Sequence, residues 1–156
     1  MSYQPNRGSV FLEDARILAV EAHPGHQFIL RVYAPRAARK AEPGTFAHIT
    51  CDPSVSLRRP LSIMRVDADE GWLEFLYKPK GAGLEKLSAR KPGELLSVLA
   101  PIGHGFTVDP SRPRLLALGG GVGIPPMIFL ADRVRARKEL RPLDRKSTRL
   151  NSSHLG

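Results

Sequence analysis

Along residues 9–101, short apolar runs alternate with turn signals roughly every ten residues, the rhythm of an all-β unit. In "QFILRVY" the alternation is strict. Phe28, Leu30 and Val32 fall on one face and Ile29, Arg31 and Tyr33 on the other, as a half-buried strand requires. "ARILAVEA" precedes this run, and "AHITC" follows the turn in "EPGTF". "PLSIMRV" and "GWLEFLYK" carry the β-branched and aromatic residues that suit a pleated surface, and "ELLSVLA" closes the series. One short helix interrupts it: "GLEKLSAR", Gly83 to Arg90, with Leu84 and Leu87 on one side and "KPG" ending it. Five or six strands with one small helix predict a closed antiparallel barrel over residues 9–109, because closure removes the exposed edges of an open sheet.

After Pro113 the period changes. "RLLALGGG" is a continuous apolar run stopped by glycines, as expected of a central parallel strand buried on both faces. "IPPMIFLADRVRARK", residues 124–138, then reads as a helix whose apolar stripe is Ile124, Met127, Ile128, Ala131 and Val134. Pro125 and Pro126 lie in its first turn, where a missing N–H costs little. The pattern predicts the opening of a second, α/β domain over 113–144.

At 156 residues the chain has room for one domain with its own core plus a fragment. Its 42% hydrophobic and 25% charged residues are those of an ordinary soluble globular protein. Residues 1–14 hold no apolar signal region and no run long enough to span a membrane occurs, so a cytoplasmic protein is the default expectation. The single cysteine, Cys51, excludes an internal disulfide and any four-cysteine zinc or iron–sulfur site built from these residues, and reads as a small buried hydrophobe. The net charge of +9 raises the question of nucleic acid. Residues 132–156, however, hold eight Lys/Arg against three acids, so five of the nine charges lie at one end, with no aromatic residues interleaved as a stacking platform needs. No nucleic-acid partner is expected.

Two glycine-rich stretches carry candidate chemistry. "GGGVGIPP", residues 119–126, is a strand–loop–helix junction, where backbone N–H groups and a helix N-terminus hold a phosphate; it does not fit G-x-G-x-x-G. "YKPKGAGLEKL" places Gly81 and Gly83 at a helix start beside Lys78 and Lys80. Taken alone, the second is better explained by a plain turn, whereas the first reads more readily as a phosphate loop than as a turn without a ligand. A third stretch, "LRRPLSI", sets two arginines, a proline and a serine inside a strand-like run, which is odd for a strand that only packs. His23, His26, His48 and His104 show no metal-ligand spacing, and no nucleophile–base arrangement is visible, so no catalytic side chain is assigned and no metal site is expected.

Taken in order, "PGTF … RRPLSI … LYKPKGAGLEKL … KPGELLSVLAPIGHGF … LALGGGVGIPPM" resembles the ferredoxin-reductase-type FAD- and NAD-binding flavoproteins, most closely the electron-transfer subunit of dihydroorotate dehydrogenase, over roughly residues 10–138. The resemblance implies a Greek-key FAD-binding barrel followed by the start of a nucleotide-binding domain. It implies that Arg59 pairs with the flavin pyrophosphate, that Pro60 and Leu61 pack near the ring, and that Ser62 hydrogen-bonds near its N5 edge. Leu76, Tyr77 and Lys78 would line the neighbouring strand, and Gly83 and Leu84 would offer backbone contacts to the pyrophosphate. Gly119, Gly120, Gly121, Gly123 and Pro125 would form the NAD(H) loop.

The implied function is electron transfer from NAD(H) through FAD and a [2Fe–2S] centre to a catalytic dihydroorotate dehydrogenase subunit in pyrimidine biosynthesis, with the polypeptide binding and tuning the cofactor that does the chemistry. A reductase subunit of a hydrogenase or of an NADPH-dependent flavin complex shares the pattern, and a non-catalytic flavin-binding fragment is the reading from another class. Three departures stand out. Thr45 replaces a more usual Gln, Leu84 replaces Thr or Ser, and the family's remaining nucleotide domain and four-cysteine iron–sulfur motif are absent from these residues. "RKSTRLNSSHLG", residues 145–156, resembles translated sequencing-adapter read-through and is expected to be a non-native tail.

Overall fold

The computed structural model describes residues 9–112 and 114–137. The expectations for the 145–156 tail, and for the last residue of the 124–138 helix, lie outside the described residues.

Six strands form a closed barrel in the order β1-β2-β5-β4-β3-β6: β1 Phe11–His23, β2 Gln27–Tyr33, β3 Phe46–Ile49, β4 Arg59–Asp67, β5 Trp72–Tyr77 and β6 Leu95–Ile102. Every neighbouring pair is antiparallel. Inward positions follow the alternation of the sequence: Leu30 and Val32 on β2, Ile49 on β3, Leu73 and Phe75 on β5, and Leu96 and Val98 on β6 are all buried. These branched and aromatic side chains close the barrel core without a polar group that needs a partner. The β1–β2 hairpin turns through Gly25 and His26, both with positive φ, the conformation a tight primed turn demands.

Two helices belong to the barrel. α1, Pro35–Lys40, was not evident from the apolar pattern, since its inner face is built from small residues: Ala34, Ala37, Ala38 and Ala41 are all buried. Pro35 starts it, and the Glu13 carboxylate on β1 accepts hydrogen bonds from the N–H groups of Arg36 (3.1 Å) and Ala37 (2.9 Å). An acid placed there satisfies free donors and complements the helix dipole. α2, Gly81–Ser88, buries Leu87 against the core and sits where the sequence placed its short helix, starting two residues earlier.

Residues 114–118 do not form the expected strand. Leu116 and Leu118 are strongly exposed, and among the described residues no strand lies beside them to complete a parallel ladder. Beyond them, a short 3-10 turn at Gly121–Gly123 leads into α3, Ile124–Ala136, which packs on β4. Its buried side chains are Pro125, Phe129, Leu130 and Val134, so the face turned inward is rotated from the stripe read in the sequence and only Val134 is common to both. Phe129 joins the barrel core, while Leu130 and Val134 gather Val108, Leu115 and Met127 into a small second cluster.

Candidate FAD-binding site

The two arginines of "LRRPLSI" have separate fates. Arg58 donates to the carbonyls of His48 (3.2 Å) and Ser97 (3.1 Å) and to the Ser97 hydroxyl (2.8 Å), so its guanidinium ties β3 to β6. Arg59 opens β4 and is half-buried, and among the described residues its guanidinium makes no hydrogen bond or ion pair. Its side chain lies over Gly83 in the first turn of α2, where a Cβ would stand 3.3 Å from Arg59 Nε and 3.5 Å from Val55 Cγ1. A side chain at 83 would press on the Arg59 head group, which would have to shift by a few tenths of an ångström. No side chain caps the start of α2, so its first N–H groups remain available to an anion beside Arg59.

The strands open at the same place. The ladder between β4 and β5 runs from Asp67 and Trp72 to Ile63 and Phe75; beyond it, residues 59–62 of β4 pair with β3 alone. Pro60 and Ser62 fall on the outer side of β4, exposed and half-buried respectively, while Leu61 turns inward and is buried. On the facing segment, Leu76 is half-buried and Lys78 exposed. Tyr77 is buried, stacks on Phe28 with ring centroids 6.0 Å apart, and its hydroxyl receives a hydrogen bond from Ser88 Oγ at 3.2 Å. Its ring therefore faces the core, and what it presents to the cleft is backbone. Burial pushes the Tyr77 phenol up to about 12, the Ser88 hydrogen bond opposing the rise. Burial also raises the Cys51 thiol, with Arg59 nearby pulling the other way.

The two side chains that depart from the resemblance have structural duties. Thr45 is buried and its hydroxyl donates to the Glu42 carbonyl at 2.7 Å, closing the turn before β3. Leu84 packs against the barrel core rather than offering a hydroxyl to the cleft. Two residues beside the candidate strand carried no assignment from the sequence. Phe46 pairs with Ser62 and His48 with Pro60, and their rings lie 5.5 Å apart on the outer side of β3. The alternation of "FAHI" was the available signal.

The glycines of 119–123 stand at the head of α3. A Cβ on Gly119 would stand 2.8 Å from the Gly123 carbonyl oxygen and 2.9 Å from Met127 Cγ, and Gly121 adopts a φ of +55°, so both positions require glycine. Pro125 is buried in the first turn of α3. Among the described residues no cluster of metal-ligating side chains occurs, and no helix is long and apolar enough to cross a membrane.

No family model matches the chain. It is 37% identical over 125 residues to the dihydroorotate dehydrogenase B (NAD(+)) electron transfer subunit of Desulforamulus reducens, covering 78% of this chain and 47% of that protein. To the subunit of the same name from Bacillus mycoides it is 43% identical over 100 residues, covering 62% of this chain and 39% of that protein. The chain thus spans half or less of the length of these curated relatives. Among solved structures, an NADH-dependent reduced ferredoxin-NADP oxidoreductase superposes with a TM-score of 0.71 at 24% identity, over 80% of this chain and 45% of that one. The phthalate dioxygenase reductase superposes with a TM-score of 0.65 at 21% identity, over 80% of this chain and 40% of that one. The barrel therefore has the ferredoxin-reductase-type FAD-binding fold, and over its matched residues the chain is homologous to the electron-transfer subunits of dihydroorotate dehydrogenase B.

Proposed function

We propose that the barrel binds FAD and that the chain is the flavin-carrying part of an electron-transfer subunit linking NAD(H) to a catalytic dihydroorotate dehydrogenase subunit. The observation that carries this reading is Arg59, a half-buried guanidinium without a partner among the described residues, seated over Gly83 at the uncapped start of α2. A pyrophosphate suits that combination. The guanidinium offers a rigid fork of donors to phosphate oxygens, and the helix start adds backbone N–H groups and a positive dipole end.

The remaining residues fit the rest of the molecule. The unpaired side of β4 at 59–62 leaves backbone groups for a flat polar ring system, and Ser62 brings a hydroxyl able to donate or accept as the ring edge changes protonation. Pro60 supplies apolar surface on the outer side of the strand, with Leu61 behind it in the core, while Leu76 and Lys78 flank the opposite side. FAD, when bound, supplies acceptance of hydride from a nicotinamide and onward release of single electrons. The chain's part is to hold the phosphates at Arg59, Gly83 and Leu84 and to keep the ring oriented at Ser62.

In this reading Gly119, Gly120, Gly121, Gly123 and Pro125 form the loop that receives NAD(H), supported by the close approach at Gly119 and the positive φ at Gly121. The partner follows from the relatives, which are electron transfer subunits of dihydroorotate dehydrogenase B. An iron–sulfur relay needs four thiolates, and the sequence holds one cysteine, buried Cys51.

The test is a titration of the purified chain with FAD, followed by flavin fluorescence. Arg59→Ala should weaken binding by about 1.5–3 kcal/mol, the scale of a charge-assisted hydrogen bond. Equal affinity with and without Arg59, or no binding by the parent chain, overturns the reading.

A further inference from the structure

The ion pairs between the barrel and α3 form a connected pattern that the candidate flavin site does not use. Glu74 lies between the inward-facing Leu73 and Phe75 of β5, yet is only 3% exposed. Its carboxylate accepts from Arg31 Nε at 3.0 Å and Nη2 at 2.6 Å, and from Arg65 Nη1 at 3.4 Å. Arg65 reaches onward with Nε to Asp132 on α3, 3.2 Å away. The next residue of α3, Arg133, reaches a different element: its Nη1 lies 2.7 Å from Glu42 Oε2 and its Nη2 3.4 Å from the Ala41 carbonyl, just before β3.

Two consecutive helix residues of opposite sign are therefore held by opposite signs on two separate parts of the barrel. Adjacent positions on a helix point about 100° apart, so a rolled α3 would break one pair or carry a charge toward one of its own sign. Burial of Phe129 selects the face of α3 that turns to the barrel, but apolar contact is not directional and leaves the helix room for smaller rolls about that face. Ion pairs of this kind select one arrangement among several of similar burial. The glycine turn 121–123 joins α3 directly, so the roll of the helix decides where that turn stands.

We propose that Arg65–Asp132 and Arg133–Glu42 form a two-point orientation lock on α3 that sets the position of the glycine loop relative to β4, which makes Asp132 and Arg133 positioning residues for the nicotinamide nucleotide. The lock itself is a statement about geometry; its functional meaning rests on the flavin and NAD(H) reading above. Both pairs are partly exposed, with side-chain exposures of 47% and 45% for the first and 31% and 54% for the second, so salt weakens the lock.

The test measures the distance between spin labels at Val122→Cys, in the exposed glycine turn, and Ala89→Cys, at the exposed end of α2, in a Cys51→Ala background. The unmodified lock should give one narrow distance distribution. Arg133→Glu should broaden it about twofold, and Glu42→Arg combined with Arg133→Glu should narrow it again, since the reversed pair restores the attraction. Asp132→Asn, a milder change, should broaden it in the same direction. A distribution that Arg133→Glu leaves as narrow as before, or a reversed pair as broad as the single variant, overturns the lock. An FAD titration of the same samples separates the two readings: a chain that binds no FAD sinks the flavin assignment, while the distances still decide the lock.

Discussion

The side chain of Arg59 lies across Gly83, so close that a methyl group on the glycine would stand 3.3 Å from Arg59 Nε. That contact joins the strand whose guanidinium has no partner among the described residues to the helix with the uncapped start, and it gives a test that leaves both arginines in place. Gly83→Ala should displace the Arg59 head group and lower FAD affinity roughly tenfold, an effect of about 1.4 kcal/mol. The helix itself should gain slightly, because alanine is the better helix former inside α2. Calorimetric titration beside a thermal melt would separate the two effects; a loss of both affinity and stability would mean that the substitution merely disrupts the fold.

Arg58 should behave in the opposite way from its neighbour. Its three hydrogen bonds tie His48 and Ser97 across β3 and β6. Arg58→Ala removes them and leaves carbonyls short of partners, at a cost of about 1.5–3 kcal/mol, hence a melting temperature lower by several degrees. Arg59→Ala should leave the melting temperature of the flavin-free chain nearly unchanged. The pair of melts checks the division of labour, which fails if the two variants lose stability equally.

The barrel was legible because its signal is local. Leu30 and Val32 alternate with more exposed residues along β2, and on β5 Leu73 and Phe75 keep the inward positions although Glu74 between them is covered as well. α1 was not legible, because its buried face is alanine and its start is fixed by Glu13 from another strand. Residues 114–118 read as a buried strand on composition, but a parallel strand exists only through neighbours, and the described residues offer none. The inward face of α3 was misjudged for a related reason: Phe129 is drawn to the barrel core, rotating Ile124 and Ile128 away from full burial. At the candidate site, Arg59 and Gly83 could be singled out by motif. That Arg58 is occupied, while Arg59 has no partner among the described residues, depends on where the Ser97 and His48 carbonyls lie, which no pattern in "LRRPLSI" encodes.

Tyr77 predicts a loss of stability at alkaline pH. Burial raises its folded-state value to about 12, above the ordinary phenol near 10, so the neutral form is favoured in the fold. The stability this contributes is complete below pH of about 10 and declines as the pH rises toward about 12, because the unfolded chain loses the proton first. Urea midpoints measured across that window should fall more steeply for the parent than for Tyr77→Phe. Parallel curves for the two proteins would show that another group governs the alkaline limb.

The last prediction separates what holds α3 down from what orients it. Phe129 is 3% exposed and belongs to the barrel core cluster, and truncating a buried aromatic of this kind costs about 3–5 kcal/mol. The ion pairs of Asp132 and Arg133 are partly exposed, and such pairs contribute less than about 1 kcal/mol each. Docking should therefore depend on the aromatic ring and not on the charges. In hydrogen–deuterium exchange, Phe129→Ala should strip protection from the amides of 124–136 while the strands of β1, β2 and β5 keep theirs, since the barrel closes without the helix. Arg133→Glu should leave the protection of α3 within about fivefold of the parent, as a loss below 1 kcal/mol requires. If the charge variant instead exposes the helix as fully as the aromatic one, the ion pairs are holding α3 in place, and the ranking of the two effects by burial is wrong.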